Sequence, residues 1–284
     1  MSAKVLSIET RIRQAWEQLS AHEQRLADII LASPGQIAMH TATELAASAG
    51  VSKATTTRFF RHLGYESYES ARRQVRELQN SGAPLYLQQA ADNLNPINDV
   101  IQTHLEREVA NLVNTYRTLD AVELEAITKG IAQARRVVVL GWRHSQTIAA
   151  LIRRDLVNVH EDVRLLPAAG DSLAESLADL GATDFAICVG LRRRMPVLDS
   201  AMSTLRVLQV PVLYLSDVLA GKPAQKADWV IRCHTETHMI FDSSASVSAV
   251  CNLLGSLVAR ERGKSGNERL AQIESLHQEL DELE

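Results

Sequence analysis

Two kinds of hydrophobic pattern follow one another along the chain, a helical one in roughly the first 130 residues and a mixed one after that. In residues 8–32, Ile12, Trp16, Leu19, Leu26, Ile29 and Ile30 recur at the three- and four-residue spacing of helices that bury one face. Ser20 followed by Glu23 has the form of a capping box, so two helices are expected here, with a break near Ser20. Residues 43–64, TELAASAGVSKATTTRFFRHLG, read as a short helix carrying Leu45 and Ala46, a tight turn, and a second helix. Thr43 is expected to cap the first helix and Gly50 to supply the positive φ that ends it. Ser52 is expected to offer its hydroxyl to the open N–H groups of the second. Thr56, Phe59, Phe60 and Leu63 then face a core, and a further helix runs from about Tyr68 to Leu78.

From Arg135 onward short apolar runs alternate with helical sequence: Val137–Leu140, Val163–Leu166, residues 185–189, 212–215 and 229–231. Unbroken runs suit strands buried on both faces, and five of them with intervening helices predict a parallel, doubly wound sheet. The expected architecture is an all-α helix-turn-helix N-terminal domain (1–80), a hinge with linking helices (81–130), and an α/β C-terminal domain whose five-stranded parallel sheet is flanked by helices (131–284). The hinge is placed at residues 80–84, NSGAP, and a helix is expected to start at residues 93–96 and run to about Tyr116.

Composition changes this picture little. A 46% hydrophobic fraction in 284 residues is ample for two cores. No apolar run approaches the roughly 18–20 residues needed to cross a bilayer, and the N-terminus lacks the apolar centre of a secretory signal, so a cytoplasmic protein without a membrane partner is expected. Cys188, Cys233 and Cys251 lie far apart within apolar patterns, without zinc-ligand spacing, and are expected to be reduced packing residues. No metal, cofactor or catalytic residue is assigned.

Charge changes it more. The chain carries 30 Lys and Arg against 34 Asp and Glu, a net charge of −4. Yet from Lys53 to Arg76 there are six basic residues (Lys53, Arg58, Arg61, Arg72, Arg73 and Arg76) and two acidic ones (Glu66 and Glu69). The positive stretch coincides with the helix-turn-helix pattern. On the second helix Lys53, Thr57, Arg58 and Arg61 are left on the outer face. Such a face has the chemistry to lie in a major groove, where Arg and Lys meet guanine edges or phosphates and Thr contacts either. The expected DNA-contacting set is Thr43, Ser52, Lys53, Thr55, Thr57, Arg58 and Arg61. Two short helices joined at a glycine also occur in bundles that never touch nucleic acid, and the local charge argues against that reading.

In a doubly wound sheet, ligands bind beyond the carboxyl ends of the strands, where loops lead into helix N-termini. The loop Gly141-Trp142-Arg143-His144-Ser145 puts a serine and backbone donors at the start of a helix over residues 145–159, a setting that favours phosphate or carboxylate. The loop Gly190-Leu191-Arg192-Arg193-Arg194-Met195-Pro196 sets three guanidiniums side by side, which repel one another unless solvated or paired with anions. Gly141, Arg143, His144, Ser145, Arg192, Arg193, Arg194 and Ser216 form the candidate anion site. A solvated arginine cluster, or arginines folded onto a neighbouring subunit's carboxylates, are the alternatives.

With these residues in view, the chain resembles RpiR-type transcriptional regulators, which join an N-terminal helix-turn-helix domain to a C-terminal sugar isomerase (SIS) domain. The resemblance covers nearly the whole length. It is most specific in LAASAGVSKATTTRFFRHLGYESY, and in the second half it rests on strand order and on the placement of Gly141, Ser145, Ser216 and Asp217. It implies a ligand-responsive DNA-binding regulator, a repressor by the commoner habit of such proteins. The chain also departs from the family. Phosphosugar-binding members show Gly-x-Gly-x-Ser in the first loop, where this sequence has Arg143 at the second glycine. They show a Ser-x-Ser-Gly-x-Thr type of loop after the third strand, where this sequence reads GLRRRMP. The effector expected is therefore a small anionic metabolite, a carboxylate or a phosphorylated compound, with sugar phosphates as one member of that set.

Two competing readings stay open. A SIS-type sugar-phosphate isomerase would draw on Glu175, His144 and His238, whose spacing forms no persuasive acid–base pair. A metabolite-binding module with a vestigial head would not need Lys53, Arg58 and Arg61. On assembly, a long apolar helix over residues 242–262, capped by Ser243 or Ser244, and an amphipathic tail carrying Leu270, Ile273, Leu276, Leu280 and Leu283 are expected to serve as core or subunit interface. A homodimer on an inverted-repeat operator, or a homotetramer made of two such dimers, follows from the few base contacts that one reading helix makes.

Overall fold

The computed structural model describes residues 6–80, 96–237 and 241–282. The chain divides into two compact units, Met1–His104 with Thr237–Asp242, and Leu105–Glu236 with Ser243–Glu284. The hinge expected at residues 81–84, the helix start expected at 93–95, and His238 lie outside the described residues.

The first unit is helical: α1 (Ile8–Ala15), α2 (Ala21–Ala32), α3 (Gln36–Met39), α4 (Ala42–Ser48), α5 (Lys53–His62) and α6 (Tyr68–Asn80). The break near Ser20 is present, as a 3-10 turn over Trp16–Gln18 followed by a complete Ser20/Glu23 capping box. The single turn α3 has no counterpart in the expected elements. Its buried residues, Ile37 and Ala38, are too few to show a period. Ile8, Ile12, Leu26, Ile30, Phe59 and Phe60 form the centre of this core. Phe60 meets the ring edges of Phe59 and Tyr68 at centroid distances of 5.2 and 5.1 Å, an arrangement that adds to plain area burial. The Tyr68 hydroxyl lies 3.0 Å from the Ile37 carbonyl and 2.8 Å from that of His40, tying α6 to α3.

The second unit begins within α7 (Ile97–Arg117) and continues through α8 (Ala121–Gln133) into the sheet. The strands are β1 (Val137–Leu140), β2 (Val163–Leu166), β3 (Phe185–Gly190), β4 (Val212–Asp217) and β5 (Trp229–Cys233). They are all parallel, in the order β2-β1-β3-β4-β5. β1, β3 and β4 are buried throughout, which is why they read as continuous apolar runs, whereas the edge strands β2 and β5 expose Arg164 and Arg232. Alternate residues enter opposite layers. Val137 and Val139 pack with α8, α9 (His144–Val157) and α12 (Ala245–Leu280), while Val138 and Leu140 pack with α11 (Pro196–Val207) and the short α10 (Leu173–Leu177). Because Ile127 and Ile131 of α8 are fully inside the first layer, α8 is part of the α/β core as well as a connector.

The long C-terminal helix and the expected tail are one element, bent at Gly263, whose φ is 49°. Ser244 stands at its N-cap without a side-chain bond, while Ser243 accepts from the Ala245 N–H at 3.1 Å.

His160, 1% exposed, follows α9. Its Nε2 lies 2.9 Å from the Ala134 carbonyl, and its Nδ1 accepts from the Asp162 N–H at 3.3 Å, so the ring is neutral with the proton on Nε2. Burial holds its pKa below the ordinary 6.5. The unfolded chain therefore binds a proton that the folded chain refuses. This contribution to stability is present above about pH 6.5 and is lost as pH falls below it. Urea unfolding should show the midpoint dropping between about pH 7 and 5. His160→Gln should flatten that drop, and an equal drop in the variant would assign it elsewhere.

Candidate functional site

In the helical unit the turn between α4 and α5 is fixed at each end by side-chain chemistry. Gly50 takes φ +61°, and the Val51 N–H reaches the Ala46 carbonyl at 2.9 Å. Ser52 caps α5, accepting from the Thr55 N–H at 3.1 Å, as expected. The cap of α4 is Thr41, and Thr43, the residue expected to cap it, sits inside the first turn. Thr41 accepts from the Glu44 N–H at 3.2 Å while Glu44 accepts from the Thr41 N–H at 2.7 Å. A threonine followed three residues later by glutamate is the stronger N-terminal signal and was present in the sequence.

On α5, Thr56, Phe59 and Phe60 are buried, and Lys53, Thr57, Arg58 and Arg61 are exposed within a sector of about 140° at 100° per residue. Among the described residues no ion pair engages Lys53, Arg58 or Arg61. Their charge is open to an outside anion. The hydroxyls are more committed. Thr55 and Ser52 share a bond of 2.9 Å at the cap, and Thr57 donates to the Lys53 carbonyl at 3.1 Å, leaving its lone pairs outward. The second basic cluster is partly scaffold. Arg72 and Arg76 both donate to the Ala38 carbonyl, at 3.2 and 3.3 Å, so among the described residues Arg73 is the α6 arginine not tied to the scaffold.

In the α/β unit β1 and β3 are neighbours from which the chain proceeds in opposite directions across the sheet, and a sheet of this order has its crevice at their carboxyl ends. A glycine follows β1 and another ends β3, in each case for steric reasons. A Cβ on Gly141 would lie 2.5 Å from the Ser145 carbonyl oxygen, and one on Gly190 would lie 2.5 Å from Leu198 and 2.6 Å from the Tyr214 hydroxyl. The two loops are joined by a bond from the Leu191 N–H to Ser145 Oγ at 3.1 Å. Ser145 is therefore buried and occupied as an acceptor. α9 starts one residue earlier than expected, and its N-cap is Arg143, whose side chain makes no capping bond.

Arg143 has φ 57° and ψ −128°, a region that glycine enters freely and a Cβ resists. Arg193 has φ 63°. Both side chains are exposed, as is His144. Besides Ser145, both Arg194 and Ser216 of the expected anion site are bonded internally. Arg194 donates through Nε to the Gly190 carbonyl at 2.9 Å and to the Tyr214 hydroxyl at 2.7 Å, and through Nη2 to Asp217 Oδ1 at 2.6 Å. Burial pushes the Tyr214 phenol up to about 12, so it stays a neutral bridge. Ser216 is fully buried and donates to the Asp217 carbonyl at 2.8 Å. Arg194 is thus matched by an internal carboxylate, and the Ser216 hydroxyl is spent on the neighbouring carbonyl. Tyr214 and Asp217 were missed as partners, because no local spacing links residues 20 positions apart.

The isomerase candidates fare differently. Glu175 accepts from the Ser172 N–H in a third capping box, which holds its carboxyl below the usual carboxylate range. A carboxylate so placed is a weak base and is committed to a helix end.

Fold and loops together define a helix-turn-helix head joined to an α/β domain of the sugar-isomerase type. A family model described as the helix-turn-helix domain of the rpiR family matches residues 6–81, and a SIS domain model matches residues 130–258. The chain thus carries an rpiR-family helix-turn-helix head followed by a SIS domain. A helix-turn-helix transcriptional regulator from the aarA 3′ region of Providencia stuartii is 27% identical over 61% of this chain and 61% of its own length. The regulator HexR of Pseudomonas aeruginosa is 26% identical over 49% and 48%. The chain thus spans about half to three fifths of the length of these curated relatives. Among solved structures, the sugar isomerase domain of an RpiR transcription factor from Sphaerobacter thermophilus is similar, with 25% identity, a TM-score of 0.57, and 62% of this chain and 97% of that one covered. The NanR protein of Vibrio vulnificus complexed with ManNAc-6P shares the fold, with 18% identity, a TM-score of 0.57, and 96% and 98% covered.

Substitutions in the arginine loop should separate its members by sign. Arg194→Ala would leave Asp217 buried without its cation and should destabilise the protein by about 3 kcal/mol. Arg193→Gly relieves a left-handed backbone and should stabilise by about 1 kcal/mol. Urea denaturation of both variants checks this. Equal effects would mean that the two arginines share one environment.

Proposed function

We propose that the protein is a ligand-responsive, DNA-binding transcriptional regulator, acting as a homodimer or a pair of dimers on an inverted-repeat operator, in the sense of a repressor. The observation that carries the reading is the exposed cationic face of α5, held by a turn specified at each end and with no anion among the described residues engaging Lys53, Arg58 or Arg61. An enzyme has no use for such a face, and Glu175, the isomerase's candidate base, is taken up by a helix cap. The regulators named among the relatives support the same reading.

The effector is a small anionic metabolite received at the crevice between β1 and β3, with Arg143, His144, Arg192 and Arg193 as its charged and polar contacts and the Gly141 loop as its backbone cradle. Arg194 and Ser216 leave that set because their polar groups are bonded internally. Sugar phosphates are the first class to titrate, since ManNAc-6P occupies the NanR structure, and small carboxylates come second. Effector and operator affinities change each other by the same factor if the ligand prefers one of two head spacings.

Selection of genomic fragments by the purified chain at near-physiological salt tests the reading, because non-specific backbone binding fades there while operator binding persists. Enrichment of a few sites with inverted-repeat symmetry is expected. With an operator in hand, Arg58→Ala should weaken binding by about 1–3 kcal/mol and relax preference at one base position. A folded protein that enriches nothing, with or without metabolite mixtures, would sink the regulator. Arg192→Ala with Arg193→Ala should abolish the effector response, and an unchanged effector affinity would remove that loop from the sensor.

A further inference from the structure

α7 is an amphipathic helix docked with its polar side inward. Asn111 Nδ2 donates to the Glu236 carbonyl at 2.7 Å, Thr115 Oγ1 accepts from the His234 N–H at 2.8 Å, and Glu108 accepts from the Ser243 hydroxyl at 2.6 Å. Asn111 and Thr115 are 2% and 0% exposed. The apolar residues are on the outside: Ile101, Leu105, Val109, Val113 and Tyr116 are 60, 55, 50, 42 and 42% exposed. At 100° per residue they occupy one sector of about 120°, the width of a stripe that helices ordinarily bury. A continuous exposed stripe of this kind marks an interaction surface. It lies outside the spans 6–81 and 130–258 that the family models match, so neither match accounts for it.

We infer that this stripe is covered by the same stripe of a second copy, the two α7 helices packing antiparallel across a two-fold axis near Val109. Three observations choose that occupant. The stripe carries no charged residue, so it is complementary to itself. A two-fold near Val109 sets Ile101 against Tyr116 and Leu105 against Val113, with Val109 meeting its own copy, so that every apolar residue finds an apolar partner. The exposed Asp99 and Arg117 lie five turns apart on one side of the helix, and the same axis places each beside the other's counterpart. A parallel pair would set Asp99 and its copy at one end, on opposite flanks of the seam, and leave Arg117 at the other end, so the two charges would not meet. The apolar surface on offer is on the order of 500 Å² per copy, and roughly 1,000 Å² across the pair reaches the size of a specific interface. This deepens the regulator reading by naming the surface that pairs the heads, and it rests on that reading for its purpose alone.

Sedimentation equilibrium of the full chain tests it. Wild type should be dimeric or a dimer of dimers at micromolar concentration. Leu105→Glu with Val109→Glu, both at exposed positions, should raise the α7-dependent dissociation constant by about a hundredfold with an unchanged melting temperature and far-UV spectrum. Asp99→Arg and Arg117→Asp should each raise it by about three- to tenfold, and their combination should restore it to near the wild-type value. A monomeric wild type, a double glutamate variant that pairs as wild type does, or charge variants that show no mutual rescue would each overturn the antiparallel α7 pair. The two readings fail separately. Dimerisation through α7 with no enriched DNA site removes only the regulator, whereas inverted-repeat selection by a dimer indifferent to the α7 variants removes only this interface.

Discussion

The Arg194–Asp217 pair fixes what the second unit can present to a ligand. Three consecutive arginines after β3 would make an intensely cationic crevice if all faced outward, and mutual repulsion would oppose the fold. Asp217, 3% exposed at the end of the adjacent strand β4, removes one of the three. The neutral Tyr214 phenol completes the arrangement, and Gly190 is confined to glycine because that phenol and Leu198 stand where a Cβ would be. The same contacts therefore set the end of β3, the direction of its loop and the charge left over. Arg193 is exposed and is held in a backbone region that costs energy.

Arg143 shows the same principle on the other side of the switch point. A glycine-type backbone followed by a helix N-terminus suits an anion held by N–H groups, yet the residue is an arginine. Its strain is of the order of 1–3 kcal/mol, typical of positions retained for what they bind. Ser145 Oγ accepts from the Leu191 N–H, and the proposed effector contacts are guanidinium forks in place of small hydroxyl donors. Forks favour planar or tetrahedral oxyanions over neutral sugar hydroxyls.

Much of this was legible in the amino-acid order. The five strands were recognisable because β1, β3 and β4 are buried on both faces and so are apolar up to the polar end of β4. The head was recognisable because Gly50, Ser52 and the Phe59-Phe60 pair each have a local role. What escaped was of two kinds. The cap of α4 is Thr41 in place of the expected Thr43, because the Thr41–Glu44 pair satisfies two donors through a local signal that a single threonine lacks. The fate of Arg194, Arg72 and Arg76 depends on partners far away in sequence: a charge run does not reveal that Asp217 or the Ala38 carbonyl lies across the fold. For the same reason α7 reads as an ordinary amphipathic helix. Which of its faces is buried is decided by the β5 and α12 loops that supply hydrogen bonds to Asn111 and Thr115.

The electrostatics of the head explain why pairing matters to its proposed work. The chain as a whole is acidic, and on α5 the cations open to DNA are Lys53, Arg58 and Arg61. Three phosphate or base contacts release about three counterions, so a single head binds weakly and loses most of that affinity as salt rises. Two heads on a two-fold double the contacts, and the second engages at the high effective concentration set by the first. Specific affinity then depends on the distance between heads matching half-sites about one helical turn, roughly 10 bp, apart or a multiple of that. A protein with a larger basic surface would bind DNA whatever the spacing of its heads. With only a few cations on each, spacing becomes the controlling variable, and a ligand that shifts it by a few ångströms can govern occupancy without touching the DNA-binding face.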